Sequence, residues 1–246
     1  MKIVIFNFSG NTGKTTLAKH LFVPQIPGAQ RITIEDLNVG DGQADVEIAA
    51  GKFRELAAQL NVADDDEHFV IDLGASAAKE MLVHFATLRS TRRAIDFWVI
   101  PVTPAAKQVA DTLNTIAALT DLGISPASMV VVPNNVVDVA AFENDFALIA
   151  SASEKFGFAV SHQAVLSSEI YDTLKGRQET VFDIANDQPD FKALRRELKG
   201  DGAALEQLGR RMVIRDLAEA ATDNLRSVFG STPIAAAAAV DAVVTN

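Results

Sequence analysis

Eight consecutive residues near the start of the chain have the composition of a phosphate-binding loop, Ser9-Gly10-Asn11-Thr12-Gly13-Lys14-Thr15-Thr16. They lie between an apolar run, residues 3–6, and a helix-like run, residues 17–22. Glycine at positions 10 and 13 lets the backbone curl so that successive N–H groups point into one concavity at the positive end of the following helix. The sequence therefore predicts a nest for a polyphosphate.

The side chains of this loop are those that a nucleotide and a magnesium ion require. We expect Lys14 to act in catalysis by contacting the β and γ phosphates, and the Thr15 hydroxyl to bind Mg²⁺. Thr16 is expected to bond the α phosphate. The candidate nucleotide-binding residues of the loop are Gly10, Asn11, Thr12, Gly13, Lys14, Thr15 and Thr16. The alternative is a strand-to-helix turn, rich in glycine and threonine, that binds no ligand.

A second signal is the run from His68 to Ala75, in which apolar residues lead to Asp72 and then to a glycine. A buried parallel strand of this kind, a Walker B strand, delivers one carboxylate beside the metal ion of a phosphate-binding loop. We therefore assign Asp72 as a catalytic residue and, with Thr15, as a ligand of Mg²⁺. The order of the two motifs carries this assignment, because many strands end in aspartate.

Two further strands end in polar residues at the sheet edge where open α/β sheets bind ligands. The strand over residues 31–35 leads to Glu35 and Asp36, and Asp36 is a candidate catalytic residue; solvation of a strand end is the alternative. Asn134 follows the buried run 129–132, and its amide could bind an adenine edge by donating and accepting at once. A turn at Asn134 would explain the same residue.

The composition is that of a globular protein with a strongly acidic balance. Of the 246 residues, 48% are hydrophobic and 22% charged, and the formal net charge is −10. The sequence contains no cysteine, which excludes disulfides and thiolate metal sites and favours a reducing compartment, so we expect a cytoplasmic protein. No apolar run approaches the roughly 20 residues that span a bilayer, so we do not expect a membrane partner.

The acidic charge disfavours direct DNA binding unless basic residues form a separate face. Three clusters of positive charge could form one: residues 89–93, 192–199 and 210–215. The alternative is that they are solvated helix faces, paired with acidic neighbours such as Glu206 and Asp216. The sequence leaves direct DNA binding open.

Apolar strand-like runs alternate with helix-like segments along the chain. This alternation predicts an α/β fold in which a mostly parallel, twisted sheet has helices on both faces and binds its ligand at the carboxyl ends of the strands. Residues 202–229 form a long amphipathic stretch, so the C-terminal part is expected to be helical. We expect a single domain over residues 1–230 and a flexible tail, rich in Ala and Val, over residues 231–246.

The loop resembles the deviant phosphate-binding loop of the ParA/MinD superfamily of ATPases, Lys-Gly-Gly-x-Gly-Lys-Ser/Thr-Thr. The matching positions are Gly10, Gly13, Lys14, Thr15 and Thr16. Ser9 replaces the first Lys, which in that superfamily reaches the partner's nucleotide across a dimer, and Asn11 replaces the second Gly. Lys107 is a candidate substitute for that cation, and an ordinary solvated lysine is the alternative.

Residues 7–16, 70–76 and 101–108, the last of which begin with the Pro-x-x-Pro pattern at 101–104, are similar to StbB-type plasmid stability ATPases of conjugative plasmids. In the superfamily the second strand ends in Asp-x-Asp, whose second Asp orients the attacking water. Here the corresponding residues are Glu35-Asp36-Leu37, a different spacing.

The resemblance implies a three-layer P-loop NTPase fold that binds ATP and Mg²⁺. It further implies a slowly hydrolysing switch for plasmid stability, segregation or positioning, with an ATP-dependent homodimer and a small DNA-binding partner protein. One alternative is a MinD-like positioning ATPase at a membrane or pole, with residues 225–229 as an amphipathic anchor. Another is a non-hydrolysing adaptor that retains the fold.

Overall fold

The computed structural model describes residues 1–35 and 46–244 of the chain. The strands are β1 (Lys2–Ile5), β2 (Gln30–Glu35), β3 (Val46–Ala49), β4 (Phe69–Leu73), β5 (Phe97–Val102), β6 (Met129–Val136), β7 (Ala159–Val160) and β8 (Val165–Leu166). The helices are α1 (Lys14–Thr16), α2 (Phe53–Val62), α3 (Ala78–Thr87), α4 (Arg89–Ala94), α5 (Ala106–Asp121), α6 (Phe142–Asp145), α7 (Ala147–Phe156), α8 (Glu169–Thr173), α9 (Val181–Asn186), α10 (Phe191–Glu197), α11 (Gly202–Gly230) and α12 (Pro233–Val244). Helix α1 continues as a π-helical segment, Leu17–Phe22.

The described strands form an eight-stranded parallel sheet with β1 near its centre. The order is β3-β2-β4-β1-β5-β6-β7, and β8 pairs with β6 off this path. The register places Ile5 of β1 beside Asp72 of β4 and Val99 of β5. Because β1 and β4 are parallel, the loop after β1 and the carboxylate near the end of β4 lie at the same edge of the sheet.

Side chains alternate between two hydrophobic cores, one on each face of the sheet. In β1, Val4 belongs to the first core, and Ile3 and Ile5 belong to the second. Helices α2, α3, α5 and α7 cover the first core, whereas the segment after α1 and helices α8, α9, α11 and α12 cover the second. The predicted three-layer α/β fold with a helical C-terminal part is therefore confirmed.

Local sequence signals account for several of these elements. The buried side chains of α2 are Phe53, Leu56, Ala57 and Leu60, which recur with the period of a helix and therefore lie on one face. Ser168 caps α8 by accepting a hydrogen bond from the backbone N–H of Ile170. Strands β3 and β8 were not predicted, because each is short and lacks a long apolar run.

Residues 233–244 differ from the flexible tail that their composition predicted. They form α12, in which Ile234 is fully buried and Ala238 is nearly so, both in the second core. Alanine is the strongest helix former, and Pro233 stands at the first helical position, where proline is tolerated. Burial of Ile234 then attaches the helix to the domain. The domain limits predicted from sequence stay a prediction.

Residues 225–229, considered above as an amphipathic anchor, lie within α11. Leu225 and Val228 are fully buried in the second core, and the ring of Phe229 packs edge-on against Phe22 with centroids 6.3 Å apart. The anchor hypothesis is therefore wrong for this segment, because its apolar side chains already face the protein interior. Within residues 1–35 and 46–244, every helix is too short or too polar to cross a bilayer.

Candidate nucleotide-binding site

The loop between β1 and α1 has a backbone suited to an anion. Asn11 and Gly13 adopt left-handed conformations, with φ of 57° and 88°. Left-handed residues next to right-handed ones turn successive N–H groups toward one concavity. Gly10 was expected to contribute to this curl, but its φ is not left-handed. Asn11 takes that place, because asparagine adopts the left-handed conformation more readily than most residues.

Gly13 is packed directly against Asn134 of β6. The Nδ2 atom of Asn134 donates a hydrogen bond to the carbonyl oxygen of Thr12 at 2.8 Å, and a Cβ at Gly13 would lie 1.9 Å from the same Nδ2. Asn134 is only 5% exposed. Its amide nitrogen therefore holds the loop in place. Adenine recognition by Asn134 stays a prediction. The Nδ2 atom that would donate to the adenine already donates a hydrogen bond to the carbonyl oxygen of Thr12.

Lys14 is buried at the base of the loop. Its Nζ donates to the carbonyl oxygens of Ser9 at 3.0 Å and Asn7 at 3.4 Å. Burial lowers the pKa of Lys14, and the carboxylates of Asp72 and Glu35 oppose that fall. The ammonium group is hydrogen-bonded here to neutral carbonyl oxygens. A phosphate can bind it more strongly than these carbonyls do, because hydrogen bonds between charged partners are the stronger ones.

Asn7 is a structural residue of the site that sequence reasoning missed. Fully buried, it donates from Nδ2 to the carbonyl oxygen of Pro101 and to Oγ1 of Thr112, each at 2.8 Å. Its Oδ1 accepts from the backbone N–H of Ser9 at 2.8 Å. Asn7 thereby joins the start of the loop to β5 and α5. The available signal was a lone amide directly after a buried strand, in a position where water cannot satisfy it.

Asp72 lies in β4, next to the loop residues Lys14 and Thr15, and is 2% exposed. Burial raises its pKa to about 6, while a hydrogen bond from Thr15 and the charges of Arg31 and Lys14 act in the opposite direction. Its Oδ2 accepts no hydrogen bond from any described residue. A buried carboxylate oxygen without a partner, next to a threonine hydroxyl, fits a hard cation such as Mg²⁺, which prefers oxygen ligands.

The remaining loop side chains differ in their exposure. Thr15 and Asn11 are exposed at the surface, and Thr16 is half-buried. Thr12 is fully buried, and its Oγ1 has no hydrogen-bond partner within the described part of the chain. Of the predicted metal ligands, Thr15 and Asp72 are brought together, since the hydroxyl of Thr15 bonds the Asp72 carboxylate.

A second carboxylate, that of Glu35, lies at the same edge of the sheet. The Oγ of Ser76 donates to Oε2 of Glu35 at 2.9 Å. The neighbouring candidate Asp36 lies outside the described residues.

Lys107 is exposed in the first turn of α5, and its role as a substitute cation stays a prediction.

The basic clusters of the C-terminal helices fall into two groups. In α11 the arginines are paired with acidic residues: Arg210 with Glu206 at 2.5 Å, Arg211 with Asp187 at 2.7 Å, and Arg215 with Glu219 at 2.6 Å. The expected pairing is thus confirmed for Arg210, whereas Arg215 pairs with Glu219 instead of Asp216. The cluster over residues 192–199 is different, because its four basic side chains are exposed and take part in no ion pair with a described residue. Direct DNA contact therefore stays open for residues 192–199 and for residues 89–93, where Arg89 and Arg93 are exposed.

Comparison with known proteins gives a similarity of fold. No protein-family model matches the sequence, and no curated protein matches it. Among solved structures, the chain is similar to the MinC:MinD cell division protein complex of Aquifex aeolicus, with a TM-score of 0.51 and 14% identity over 86% of this chain and 95% of that chain. It is also similar to the pNOB8 ParA structure, with a TM-score of 0.51 and 13% identity over 94% of this chain and 98% of that chain. The chain therefore has the P-loop NTPase fold of MinD and ParA.

Proposed function

We propose that this protein is an ATP-binding and ATP-hydrolysing switch of the ParA/MinD superfamily. One observation carries the proposal: the left-handed loop, the Lys14 ammonium and the Thr15–Asp72 pair meet at the carboxyl edge of the sheet. Binding of a nucleotide phosphate together with a metal ion needs this combination of groups. The shared fold and the motif resemblance support the superfamily assignment.

Different residues of the site would bind different parts of the proposed ligand, Mg-ATP. The backbone N–H groups around Gly13 and the ammonium of Lys14 would bind the phosphates, and the oxygens of Thr15 and Asp72 would hold Mg²⁺. When bound, the metal ion neutralises charge that develops on the phosphates during transfer. Asp72 supplies the charge for this ion from a buried position, where electrostatic attraction is less screened by water.

For the cellular role, we propose plasmid stability, segregation or positioning together with a small DNA-binding partner protein. The similarity of residues 7–16, 70–76 and 101–108 to plasmid stability ATPases supports this role. So does the net charge of −10, because a partner that binds DNA removes the need for a strongly basic surface on this chain. ATP binding would favour one conformation or a homodimer, and hydrolysis would release it.

The mass of the protein in solution tests the switch. We would measure it by light scattering for the wild type and Lys14→Ala in Mg-ATP, in Mg-ADP and without nucleotide. Mg-ATP alone should double the mass of the wild type, and Lys14→Ala should stay monomeric. Lys79→Ala, which removes an exposed lysine of α3, is the matched control and should behave as the wild type. A mass that ignores nucleotide would exclude a dimer cycle.

A non-hydrolysing adaptor is the second candidate. The departures at Ser9 and at Glu35-Asp36-Leu37 favour it, since both affect positions linked to dimerisation or hydrolysis in the superfamily. Tight ATP binding, with phosphate release no faster than that of Lys14→Ala, would establish this alternative. The burial of Leu225 and Val228 removes the observation that had favoured a membrane-bound switch.

A further inference from the structure

Lys19, in the segment that continues α1, is a buried lysine whose partners lie in the C-terminal part of the chain. It is 7% exposed, and its Nζ donates to the carbonyl oxygen of Leu174 at 3.3 Å and to that of Arg177. The backbone N–H of Arg177 donates to the carbonyl oxygen of Leu174 at 3.2 Å, across a turn in which Gly176 has a left-handed φ of 78°. Because a cation is favourable at the C-terminal end of a helix, Lys19 joins the end of α8 to the helix that begins at the phosphate loop.

His20, the next residue, contacts the far end of the same segment. Its Nδ1 accepts a hydrogen bond at 3.3 Å from the backbone N–H of Val181, the first residue of α9. Its ring, 4% exposed, lies against Tyr171 of α8 with centroids 5.6 Å apart. Two neighbouring side chains of one helix thus hold both ends of the connection between α8 and α9. We call this connection, residues 174–181, the strap.

Few of the strap's own side chains are buried. Leu174 and Val181 at its ends are buried, whereas residues 175–179 are all exposed. The flanking helices α8 and α9 have five and six residues, and helices of that length need tertiary contacts to be stable. Segments with little buried surface are those that open locally. We therefore expect the closed position of the strap to depend on its bonds to Lys19 and His20.

The helix that holds the strap also carries the phosphate loop at its start. Residues 14–16 form its first turn, three to five residues before Lys19. Residues 17–22 continue it as a π-helical segment in which every residue is buried, and such segments are frequent at functional sites. A phosphate bound to the N–H groups of the first turn would therefore restrain the part of the helix that carries Lys19 and His20.

An anion at the loop would also offset repulsion among buried cations. Lys14, Lys19 and Arg31 are each at most 7% exposed. Burial first, and then the positive charges of Lys19 and Arg31, lower the pKa of His20, so both cations act on this part of the second core. Buried like charges are little screened by water and raise each other's energy. The phosphates of a nucleotide would lower that energy and favour the arrangement in which Lys19 is buried.

We propose that the strap responds to the nucleotide: a nucleotide at the phosphate loop keeps the strap closed on Lys19 and His20, and the strap opens more often when the loop is empty. This role rests on the proposed nucleotide binding. It extends the effect of the nucleotide to the C-terminal layer, because the strap leads into α9, which packs against α11. Coupling between two sites is reciprocal, so a closed strap raises nucleotide affinity by the factor by which the nucleotide favours closure.

Hydrogen exchange of the strap amides tests the coupling. Mass spectrometry follows peptides that cover residues 174–181 in the wild type and in Lys19→Met, without nucleotide and in saturating Mg-ADP. Mg-ADP should slow exchange of the wild-type strap about fivefold or more, the lower end of typical coupling between sites. In Lys19→Met, which keeps a long side chain but removes the donor, the slowing should fall below about twofold. Lys155→Met, at an exposed lysine of α7, is the matched control and should behave as the wild type.

A second pair of variants changes the strap and leaves Lys19 and His20 in place. Gly176 in the strap and Gly157 after α7 have φ of 78° and 80°, so alanine strains the two backbones alike. Gly176→Ala should weaken Mg-ADP binding about fivefold or more, measured by titration with a fluorescent ADP analogue, and Gly157→Ala should stay within about twofold of the wild type. This pair tests the coupling even if Lys19→Met does not fold.

The outcomes separate the strap from the proposed function. A wild type that binds no nucleotide would contradict both. If the wild type binds Mg-ADP but its strap exchanges at the same rate with and without it, the role of the strap alone is overturned. Exchange that is faster in Lys19→Met by the same factor with and without Mg-ADP would show a merely structural lysine and would overturn it as well. So would equal Mg-ADP affinities of Gly176→Ala and Gly157→Ala.

Discussion

Asn134 bonds the carbonyl oxygen of Thr12 across 122 residues of sequence, with an Nδ2–O distance of 2.8 Å. Both residues are buried, with Thr12 fully enclosed and Asn134 5% exposed. In the sheet, β5 separates β6 from β1, so the bond connects the phosphate loop to a strand two places away. A loop that must keep its N–H groups turned inward is thereby attached to the rigid part of the domain.

We expect Asn134→Ala to lower both stability and nucleotide affinity. The change leaves the buried carbonyl of Thr12 without this donor, which costs about 1–3 kcal/mol of unfolding free energy. Urea denaturation measures the stability, and titration with a fluorescent ADP analogue measures the affinity. Asn135→Gly is the matched control, because Asn135 is exposed and its left-handed φ of 57° suits glycine. Equal losses in the two variants would show that the bond to Thr12 is not the cause.

Gly13→Ala should be more destabilising than Gly28→Ala. Both glycines are left-handed, with φ of 88° and 74°, so alanine costs about 1–2 kcal/mol of backbone strain at either position. At Gly13 the new Cβ would also collide with Nδ2 of Asn134, whereas at Gly28 no described atom lies within 4 Å. Urea denaturation measures the free energy of unfolding of both variants, and the difference between their losses gives the cost of the collision. Adding Asn134→Ala to Gly13→Ala removes the colliding side chain and should recover part of the difference in unfolding free energy. If none is recovered, the whole loss in Gly13→Ala comes from the strained left-handed φ.

Acid should destabilise the protein through His20. This buried imidazole has a pKa lowered to about 3, first by burial and then by the charges of Lys19 and Arg31, and its Nδ1 accepts from the backbone N–H of Val181 at 3.3 Å. The unfolded value is near 6.5, so the unfolded chain binds the extra proton and stability falls as the pH drops from about 6.5 toward 3. The slope is about 1.4 kcal/mol per pH unit.

The measurement compares wild type and His20→Asn, whose amide oxygen can still accept from Val181. Between pH 7 and 5 in metal-free buffer, the unfolding free energy of the wild type should fall by about 2 kcal/mol more than that of the variant. Asp72 acts with the opposite sign, because its raised pKa of about 6 means that the folded state gains stability as the pH falls from about 6 to 3.8. Asp72 is present in both proteins, so its effect cancels in the comparison. Parallel pH profiles would contradict a buried neutral His20.

Helix α12 offers a test of C-terminal packing within one element. Ile234 is fully buried in the second core, whereas Val240 is 63% exposed. Ile234→Ala should cost about 2–4 kcal/mol through lost burial and a residual cavity, and Val240→Ala should stay within about 0.5 kcal/mol. Thermal and urea unfolding measure both. Equal, small effects would mean that α12 does not contribute to the core in solution.

The sequence by itself determined the phosphate loop, the Asp72 strand and the α/β alternation. These signals are local: residues 9–16 are consecutive, the strand around Asp72 is one apolar run, and the buried face of α2 repeats with the helical period. Neighbours along the chain are sufficient to specify them, because backbone conformation and the period of burial depend on adjacent residues.

Only the tertiary structure decided what holds these groups in place. The contact of Asn134 with Thr12, the bonds of Lys19 to the strap and the bonds of Asn7 to β5 and α5 join residues far apart in sequence. Composition also misjudged α12 and the segment 225–229, since each is stabilised by burial against distant strands and helices. Such contacts depend on strand order and register, which bring remote residues together and leave no periodic signal in either partner.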